Sequence, residues 1–404
     1  MNKKLGMAVA GAVMAFGATA ANAGITIPAG DWTIDIGGNV NAYYTNTRFS
    51  GDLEDLVVDG MPLSENANMI STGLLPSALG IGGKTRQNDL DIAFQFTFFT
   101  GVNSEDIGTG GFSGNGGQSN SLNIRQAYMT FGDASWGTIK MGRDLGVFGS
   151  DAILSDMTLL GVGTGAGGGG NSTLGRIGSG YLYADWVGQI QYASPNWNGF
   201  SFAAAVREPW GNTDNSDLGF DAKVSYEWAG DYAGKVWLGG ITQKADNGGL
   251  GAGIPGVIAA HDDERASAWE IGGKVSVAGF GLVGYYYDGK GFGSSGLASP
   301  FSLASGLGIN GADQDVDGGY VQGTYTLPGI GTKLGLSWGQ SNIDGNAGAA
   351  DFENESWIIG AYHPLTKSLN LVAEYTDTDY ENVGNIRGLD AEAKTIALGA
   401  ILFF

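Results

Sequence analysis

The chain ends in the sequence KTIALGAILFF (residues 394–404), and this stretch decides the fold class. Successive side chains of a β-strand point to opposite faces, so every second residue shares one face. The first face is wholly apolar: Ile396, Leu398, Ala400, Leu402 and Phe404. The second face is small, with Thr395, Ala397 and Gly399. The stretch therefore predicts a strand with one apolar face and an aromatic residue at its end.

The N-terminus predicts export from the cytoplasm. Lys3 and Lys4 precede an apolar run over residues 5–16, and residues 21–23 (ANA) form a small-residue cleavage site. We expect residues 1–23 to be a signal peptide and residues 24–404 to form one β-barrel domain. No later run of about eighteen apolar residues predicts a membrane helix, so any membrane crossing must use strands in a closed barrel.

The composition excludes several classes of function. The chain has 20 basic and 41 acidic residues, and removal of Lys3 and Lys4 with the signal peptide leaves 18 against 41, a net charge of −23. Such a charge disfavours nucleic acid as a partner. The absence of cysteine excludes disulfides, thiolate metal sites and cysteine nucleophiles. The 73 glycines and only 9 prolines favour many strands and turns, as in one large barrel.

Amphipathic strands of about ten residues recur from Asp31 onward and are joined alternately by short turns and long polar loops. The short turns are predicted at residues 132–137, 196–199, 231–234, 279–281, 328–331 and 364–368. The long loops are predicted at residues 48–70, 102–121, 145–178, 208–217, 244–266, 289–316, 341–354 and 380–391. Residues 69–83 give the weakest strand, and with it the count reaches about sixteen antiparallel strands. The fold class is therefore an all-β transmembrane barrel with both termini on the periplasmic side.

Alternation within the strands assigns side chains to faces. In residues 220–228 the apolar positions alternate with charged and polar ones, and residues 89–98, 269–276 and 333–338 show the same pattern. We interpret the apolar face as lipid-facing and the charged face as the lining of a water-filled lumen, since about sixteen strands leave a channel. The predicted lumen-facing residues are Asp221, Lys223, Glu227, Glu270 and Lys274.

Three parts of the chain resemble the general trimeric porins of Gram-negative outer membranes. They are residues 125–144 (RQAYMTFGDASWGTIKMGRD), residues 175–202 (GRIGSGYLYADWVGQIQYASPNWNGFSF) and the terminal Phe404. The resemblance implies an outer-membrane channel for passive diffusion of small hydrophilic solutes and ions. It further implies a homotrimer that contacts outer-membrane lipid and lipopolysaccharide, and recognition of Phe404 by the barrel-assembly machinery.

In this family the third long loop folds into the barrel and narrows it, with acidic residues facing arginines on the wall. The resemblance places residues 145–179 in that loop and implies a pore constriction. Its candidates are Arg125, Arg143, Asp151, Asp156 and Arg176. The chain departs from the pattern at Ala78, where many members of the family carry an arginine. The alternative is that Arg125 and Arg143 merely pair with acidic neighbours at strand ends.

Metal, cofactor and catalytic motifs are weak. Asp313, Asp315 and Asp317 match the opening of a calcium loop, but Thr324 stands where the closing glutamate is required. The glycine-rich residues 161–170 lack the strand, helix and acidic residue of a dinucleotide site, so we expect no cofactor. The chain has only two histidines, and no spacing suggests a nucleophile and its base, so we expect no enzyme activity.

The sequence leaves two kinds of channel open. A passive pore would be mildly cation-preferring, because the acidic balance of the chain concentrates cations. A solute-specific channel, for example a sugar-selective one, would use Tyr181, Tyr183 and Trp186 as a stacking track inside the pore. We favour a place for these three aromatic residues in the lipid-facing girdle.

Overall fold

A computed structural model describes residues 24–52, 57–58, 61–62, 66–102, 122–164, 172–210, 217–245, 264–292, 314–345, 350–383 and 386–404. The predicted signal peptide and parts of several long loops lie outside the described residues. Within the described residues, no helix is long and apolar enough to cross a membrane.

The strands of the described residues are β1 Ile25–Ala29, β2 Trp32–Gly51, β3 Val57–Val58, β4 Met61–Pro62, β5 Asn66–Ser71, β6 Ser77–Gln87, β7 Leu90–Thr100, β8 Asn123–Asp133, β9 Gly137–Leu145, β10 Trp186–Ala193, β11 Phe200–Arg207, β12 Gly219–Trp228, β13 Ala233–Ala245, β14 Glu264–Val277, β15 Phe280–Lys290, β16 Asp315–Thr326, β17 Lys333–Ile343, β18 Phe352–Pro364, β19 Leu369–Glu381 and β20 Ala391–Phe403. A short helix, α1 Ser150–Ser155, and a 3-10 turn, Met157–Leu160, lie between β9 and β10.

The strands close into one antiparallel barrel. From β6 to β20 each strand pairs with the next, and β20 pairs with β2, which closes the wall. On one side of β2, β1 pairs with its first part and β20 with its later part. On the other side, β6 pairs with the first part of β2 and β5 with its later part. Strands β1 and β20 therefore share one position in the wall, and β5 and β6 share another. The wall has sixteen positions, which confirms the predicted strand count.

The predicted weakest strand is broken in two. Between β5 and β6, residues 72–76 leave the strand pairing, and the side chain of Asn41 in β2 replaces the missing partners. Its Oδ1 accepts from the Gly73 N–H at 3.0 Å, and its Nδ2 donates to the Leu75 carbonyl at 2.9 Å. Pro76 has no N–H to donate to a ladder, which favours the break at this point.

The wall has two chemically distinct faces, as the alternation predicts. The apolar face is exposed and includes Val40, Phe96, Val236, Leu238, Ile271, Leu282, Val321, Leu336, Ile359, Ile396 and Leu398. The polar face is largely buried and includes Thr45, Gln95, Gln126, Asp221, Glu270, Ser337, Glu374 and Thr395. A water-soluble sheet would bury its apolar face, so this arrangement is typical of a barrel surrounded by lipid.

Aromatic pairs mark the ends of strands on the apolar face. At the end that carries the short turns, Trp197 stacks on Phe200 with ring centroids 6.3 Å apart. Nearer the other end, Trp269 lies 5.6 Å from Tyr286. Aromatic girdles at both rims are typical of membrane barrels, because these side chains are amphipathic. We call the two rims the turn end and the loop end.

Candidate functional site

The third long loop, residues 146–185, connects β9 to β10 and packs against the polar face of the wall. Its described residues are almost all buried. Gly149 has a φ of 75°, a conformation that glycine adopts without strain, and it turns the chain into α1. The loop places the two candidate aspartates on its first half, Asp151 in α1 and Asp156 just after it.

Two carboxylates of the wall hold the start of the loop. The Oδ2 atom of Asp221 in β12 accepts from the N–H groups of Val147 and Phe148, at 3.0 and 3.2 Å. The Oε2 atom of Glu270 in β14 accepts from the Gly149 N–H at 3.0 Å. Both side chains are fully buried, and these bonds satisfy one oxygen of each carboxylate where water has no access.

A third carboxylate, Glu374 in β19, holds the far side of the same loop. Its Oε2 atom accepts from the N–H groups of Val162 and Gly163, at 2.7 and 2.8 Å, and Tyr362 donates its hydroxyl to Oε1 at 2.6 Å. A side chain at Gly161 would collide with this carboxylate. We call Asp221, Glu270 and Glu374 the wall carboxylates.

Neutral side chains of the wall complete the attachment. Gln322 in β16 accepts from the Met157 N–H at 2.7 Å and donates to the Ser155 carbonyl at 3.1 Å. The hydroxyls of Tyr320 and Tyr43 donate to loop carbonyls at 2.8 and 2.7 Å. The attachment points range from β12 through β19 to β2, so the loop runs along a large part of the polar face.

Asp151 bridges the loop to two lysines of the wall. Its carboxylate lies 2.5 Å from the Nζ atom of Lys223 in β12 and 2.5 Å from that of Lys235 in β13. Burial disfavours the charged form of Asp151, but the two ammonium groups outweigh it and lower the pKa of Asp151 below its usual value. The carboxylate is therefore ionised throughout the neutral range.

Asp156 has partners within the loop itself. Its Oδ1 atom accepts from the Thr158 N–H at 2.9 Å and caps the 3-10 turn. Its Oδ2 atom accepts from the Arg176 N–H at 3.1 Å and from the Tyr181 hydroxyl at 2.9 Å. Asp156 therefore ties the outgoing half of the loop to the returning half.

Arg176 is fully buried beneath the returning half of the loop. Its Nε atom donates to the Ser337 hydroxyl at 2.5 Å, and one terminal nitrogen donates to the Ser356 hydroxyl at 2.9 Å and the Ser179 carbonyl at 3.1 Å. Burial lowers the pKa of Arg176 to about 10, so the side chain stays protonated at neutral pH. It anchors the loop to β17 and β18.

Arg125 packs against the end of the loop. One terminal nitrogen donates to the Tyr183 hydroxyl at 2.9 Å, and the guanidinium lies 5.6 Å from the centre of the Phe99 ring. The side chain is 3% exposed, so it supports the loop and is not an open charge on the polar face.

Arg143 lies on the opposite face of the wall. It is two residues from Met141 in β9 and therefore shares its face. Met141 lies opposite Met129 and Ile190, which belong to the exposed apolar face. The prediction that Arg143 faces the loop aspartates is therefore wrong, because a shift of one residue turns a strand side chain to the other face. Among the described residues neither Arg125 nor Arg143 forms an ion pair, so the alternative of paired strand ends is also wrong.

The five predicted lumen residues all lie on the polar face but have different surroundings. Asp221, Lys223 and Glu270 contact the loop, as described above. Glu227 and Lys274, nearer the turn end, are exposed and have no contact with it among the described residues.

The three aromatic residues of the returning chain are buried. Tyr181 bonds Asp156, Tyr183 bonds Arg125, and Trp186 packs edge-on against Phe99 at 5.6 Å. Their exposed fractions are 0%, 6% and 5%, so the prediction of a lipid-facing girdle is wrong for them. They also present no open face for a sugar to stack on.

The calcium candidates do not form a site in the described part of the chain. Asp313 lies outside the described residues. Asp315 pairs with Lys290 at 3.2 Å, and Asp317 accepts from Asn342 at 3.2 Å. The described residues contain no group of three His, Cys, Asp or Glu that could hold a metal ion.

Sequence reasoning missed Glu374 and Lys235. Glu374 shares its face with Val372, Thr376 and Thr378, and a lone carboxylate on such a face was a usable signal. Lys235 shares its face with Trp237, which hides the polar pattern in β13. Nothing in the sequence indicates that a loop residue lies against either position.

Comparisons with known proteins agree with this architecture. A family model described as Gram-negative porin matches residues 8–383. An anion-selective porin from Comamonas acidovorans superposes with a TM-score of 0.63 at 15% identity, covering 92% of this chain and 100% of its own. OmpF of Salmonella typhi, in complex with daunomycin, gives a TM-score of 0.62 at 18% identity over 94% and 100%.

The trimer form of OmpT, an outer-membrane protein of Vibrio cholerae, gives a TM-score of 0.54 at 16% identity over 92% of this chain and 99% of its own. At these identities the likeness to solved structures shows the fold alone. A search among curated protein sequences gives no match.

Proposed function

Because the chain belongs to the Gram-negative porin family, we propose that it forms a water-filled channel for passive diffusion of small hydrophilic solutes and ions. The protein is an outer-membrane β-barrel, and its family and fold point to a channel and not to an enzyme. The observation that carries the proposal is the attachment of the third long loop to the polar face by the wall carboxylates.

We infer that the polar face lines the lumen and that the third loop lies inside it. An exposed apolar face on a closed wall is stable only against lipid, which leaves the polar face for the interior. Loop residues that contact this face from β12 to β19 then reduce the open cross-section. Selection by size would follow from this narrowing, with no need for a specific binding site.

Fewer exposed carboxylates support the mild cation preference than the sequence predicts. Asp221 and Glu270 are buried and hold the loop, so of the three predicted carboxylates only Glu227 is exposed. The acidic residues near the loop end share the exposed outer face of the wall and do not line the lumen: Asp317, Glu353, Glu355, Asp379 and Glu381. We therefore propose a mild cation preference that rests on Glu227 and on the net charge of −21 of the whole chain.

Planar-bilayer recordings and liposome swelling test the channel. We expect stepwise conductance that rises with salt, and entry rates that fall with the size of uncharged sugars. Absence of conductance steps from a folded preparation would contradict the proposal. Fast entry of one sugar among several of equal size would instead indicate a solute-specific channel.

We propose that the channel is a homotrimer in contact with outer-membrane lipid and lipopolysaccharide. The proposal rests on the family, and a purely monomeric mass in mild detergent would contradict it. We also propose that the assembly machinery recognises Phe404, whose N–H donates to the Gly38 carbonyl at 3.1 Å at the end of the closing strand. Deletion of Phe404 should slow assembly, and an unchanged rate and yield would oppose this role.

A further inference from the structure

We propose that the pore-facing edge of the third loop is apolar, and that the channel therefore favours small uncharged solutes that carry an apolar part beside their hydroxyl groups. The inference rests on the proposed channel function and names a solute class for it. The residues that such solutes contact are Leu154, Leu159 and Leu160, in α1 and the 3-10 turn.

The first observation is which side chains of the loop are open. Nearly all of its described residues are buried, and the partly exposed ones are Ser150, Leu154, Ser155, Leu159, Leu160, Ser172 and Asp185. The charged member of this set, Asp185, lies directly before β10. A partly exposed side chain of a loop inside a closed wall can face only the open part of the lumen, so the leucines face the solutes that pass.

The carboxylates in this half of the loop are turned away from the open lumen. Asp151 contacts Lys223 and Lys235 of the wall, and Asp156 accepts from two N–H groups and a hydroxyl within the loop. The two aspartates are 5% and 3% exposed. A passing solute therefore meets the leucines and not these two charges.

The open part of the lumen lies on the side of β7 to β11. Hydrogen bonds and ion pairs join residues 147–163 to β12, β13, β14, β16, β19 and β2. In the described ranges, none joins these loop residues to β7, β8, β9, β10 or β11. The outgoing half of the loop therefore fills one side of the lumen and leaves the other side to solutes.

The wall on the open side offers hydrogen-bonding groups. Thr97 in β7 donates its hydroxyl to Gln126 in β8 at 2.6 Å, and Gln126 donates to Asp144 in β9 at 2.8 Å. Asp144 also pairs with Lys140 at 2.5 Å, so the charges of this row compensate each other.

This row of the wall and α1 lie at similar heights in the barrel. Residues 181–186 pack edge-on against Phe99 in β7 and against Tyr320 in β16, which relates the heights of the two sides. Thr97 lies two residues nearer the turn end than Phe99. Gln322, which binds the end of α1, likewise lies two residues nearer the turn end than Tyr320.

The arginines expected on this wall do not reach the open lumen. Ala78 stands where many members of the family carry an arginine, Arg143 lies on the outer face, and Arg125 is 3% exposed. In the part of the chain that the structure describes, acidic and basic groups therefore do not face each other across the gap. No strong transverse field then selects charged solutes.

A gap with an apolar edge on one side and amide and hydroxyl groups on the other suits a solute with both kinds of surface. The apolar part of the solute loses contact with water against the leucines, and each methylene group removed from water favours entry by about fourfold. The hydroxyl groups keep hydrogen bonds to the wall or to water. The contact is small, so binding stays weak enough for release.

The test compares liposome swelling by phenyl β-glucoside and by glucosylglycerol, two uncharged glycosides of similar size. The group attached to the sugar is apolar in the first and carries hydroxyl groups in the second. Protein-free liposomes give the leak of each solute through the lipid. The variants are Leu154→Asn with Leu159→Asn, and Leu154→Met with Leu159→Met, which stays apolar. Leu365→Asn is the matched control, because Leu365 is exposed in the turn between β18 and β19.

We expect the wild type to admit phenyl β-glucoside about fourfold faster than glucosylglycerol, after subtraction of the leak. The Asn double variant should admit both at nearly equal rates, whereas the Met double variant and Leu365→Asn should keep the preference. Entry of glucosylglycerol shows that each variant is folded and open.

Equal entry of the two glycosides into wild-type liposomes, including no entry of either, would overturn the apolar edge. This comparison decides the proposal even where the Asn double variant does not fold. An Asn double variant that keeps the whole preference, or a Leu365→Asn variant that loses it, would also overturn it. Absence of channel conductance in the wild type would overturn the proposed function instead.

Discussion

Asp151 and Asp156 lie in the same loop and are both buried, yet they have different kinds of partners. Asp151 contacts Lys223 and Lys235, which belong to the wall. Asp156 contacts two N–H groups and one hydroxyl of the loop itself. The first aspartate joins the loop to the wall, and the second keeps the loop folded. Substitutions at the two positions should therefore have separable effects on conduction and on stability.

Asp156→Ala should have the largest effect on stability. The change leaves the Arg176 N–H and the Tyr181 hydroxyl buried without an acceptor, and each such group costs about 1–3 kcal/mol. We expect a loss of about 3 kcal/mol in the free energy of unfolding, measured by urea denaturation of the folded barrel. Asp231→Ala, in an exposed turn, is the control. Equal stability of the two variants would contradict the role of Asp156.

Asp151→Asn should mainly change ion selectivity. It removes the negative charge that offsets Lys223 and Lys235, so the channel should shift toward anions. The measurement is the reversal potential in a salt gradient, and the shift should shrink as salt rises because salt ions in the water-filled lumen screen the field of the charges on its wall. An unchanged reversal potential at low salt would show that ions do not pass near this ion-pair cluster.

The same variant gives a test by pH. The pKa of Asp151 is lowered in the folded protein, so its pairing stabilises the fold above the unfolded pKa of about 3.9 and is lost only below it. The difference in reversal potential between the wild type and Asp151→Asn should therefore persist from about pH 8 to about pH 5. Its disappearance at about pH 5 would mean that Asp151 is protonated there, against the geometry.

Arg143→Gln should have the smallest effect. Arg143 lies on the apolar face, so its removal should leave the reversal potential unchanged. Lys140→Gln is the matched change on the polar face of the same strand, where Lys140 pairs with Asp144, and it should shift the potential toward cations. A shift in Arg143→Gln as large as that in Lys140→Gln would contradict the register of β9.

The wall could be predicted from the sequence because its rule is local. In residues 220–228 and 394–404, the period of two indicates which side chains share each face of the strand, and turn residues indicate where each strand ends. For residues 69–83 the sequence predicts one strand and not two, because the Asn41 side chain that replaces the ladder comes from a distant part of the chain.

The site was predicted less well because its contacts are not local. The resemblance brought Asp151, Asp156 and Arg176 into one loop, but it could not show that Asp156 bonds within the loop. The resemblance implies a wall arginine at Arg143, which follows Gly142, but a match in residue order does not determine the face. Glu374 was missed because its partners, Val162 and Gly163, lie more than 200 residues earlier in the chain.

The most direct test of the account is a cross-link between the third loop and the wall. The chain has no cysteine, so Met157→Cys with Gly335→Cys introduces one possible disulfide. The Met157 sulfur lies directly against the position of a side chain at Gly335 in β17, which brings the two positions close together. A disulfide needs their Cβ atoms about 3.8 Å apart. Single-channel conductance is measured before and after oxidation, with each single variant as a control.

If the loop lies in the lumen as a fixed constriction, the disulfide should form readily and the oxidised channel should conduct as the reduced one does. A disulfide that fails to form in the folded protein, or one that sharply lowers the conductance, would contradict the claim. Either result would show that the conducting channel holds the loop away from β17.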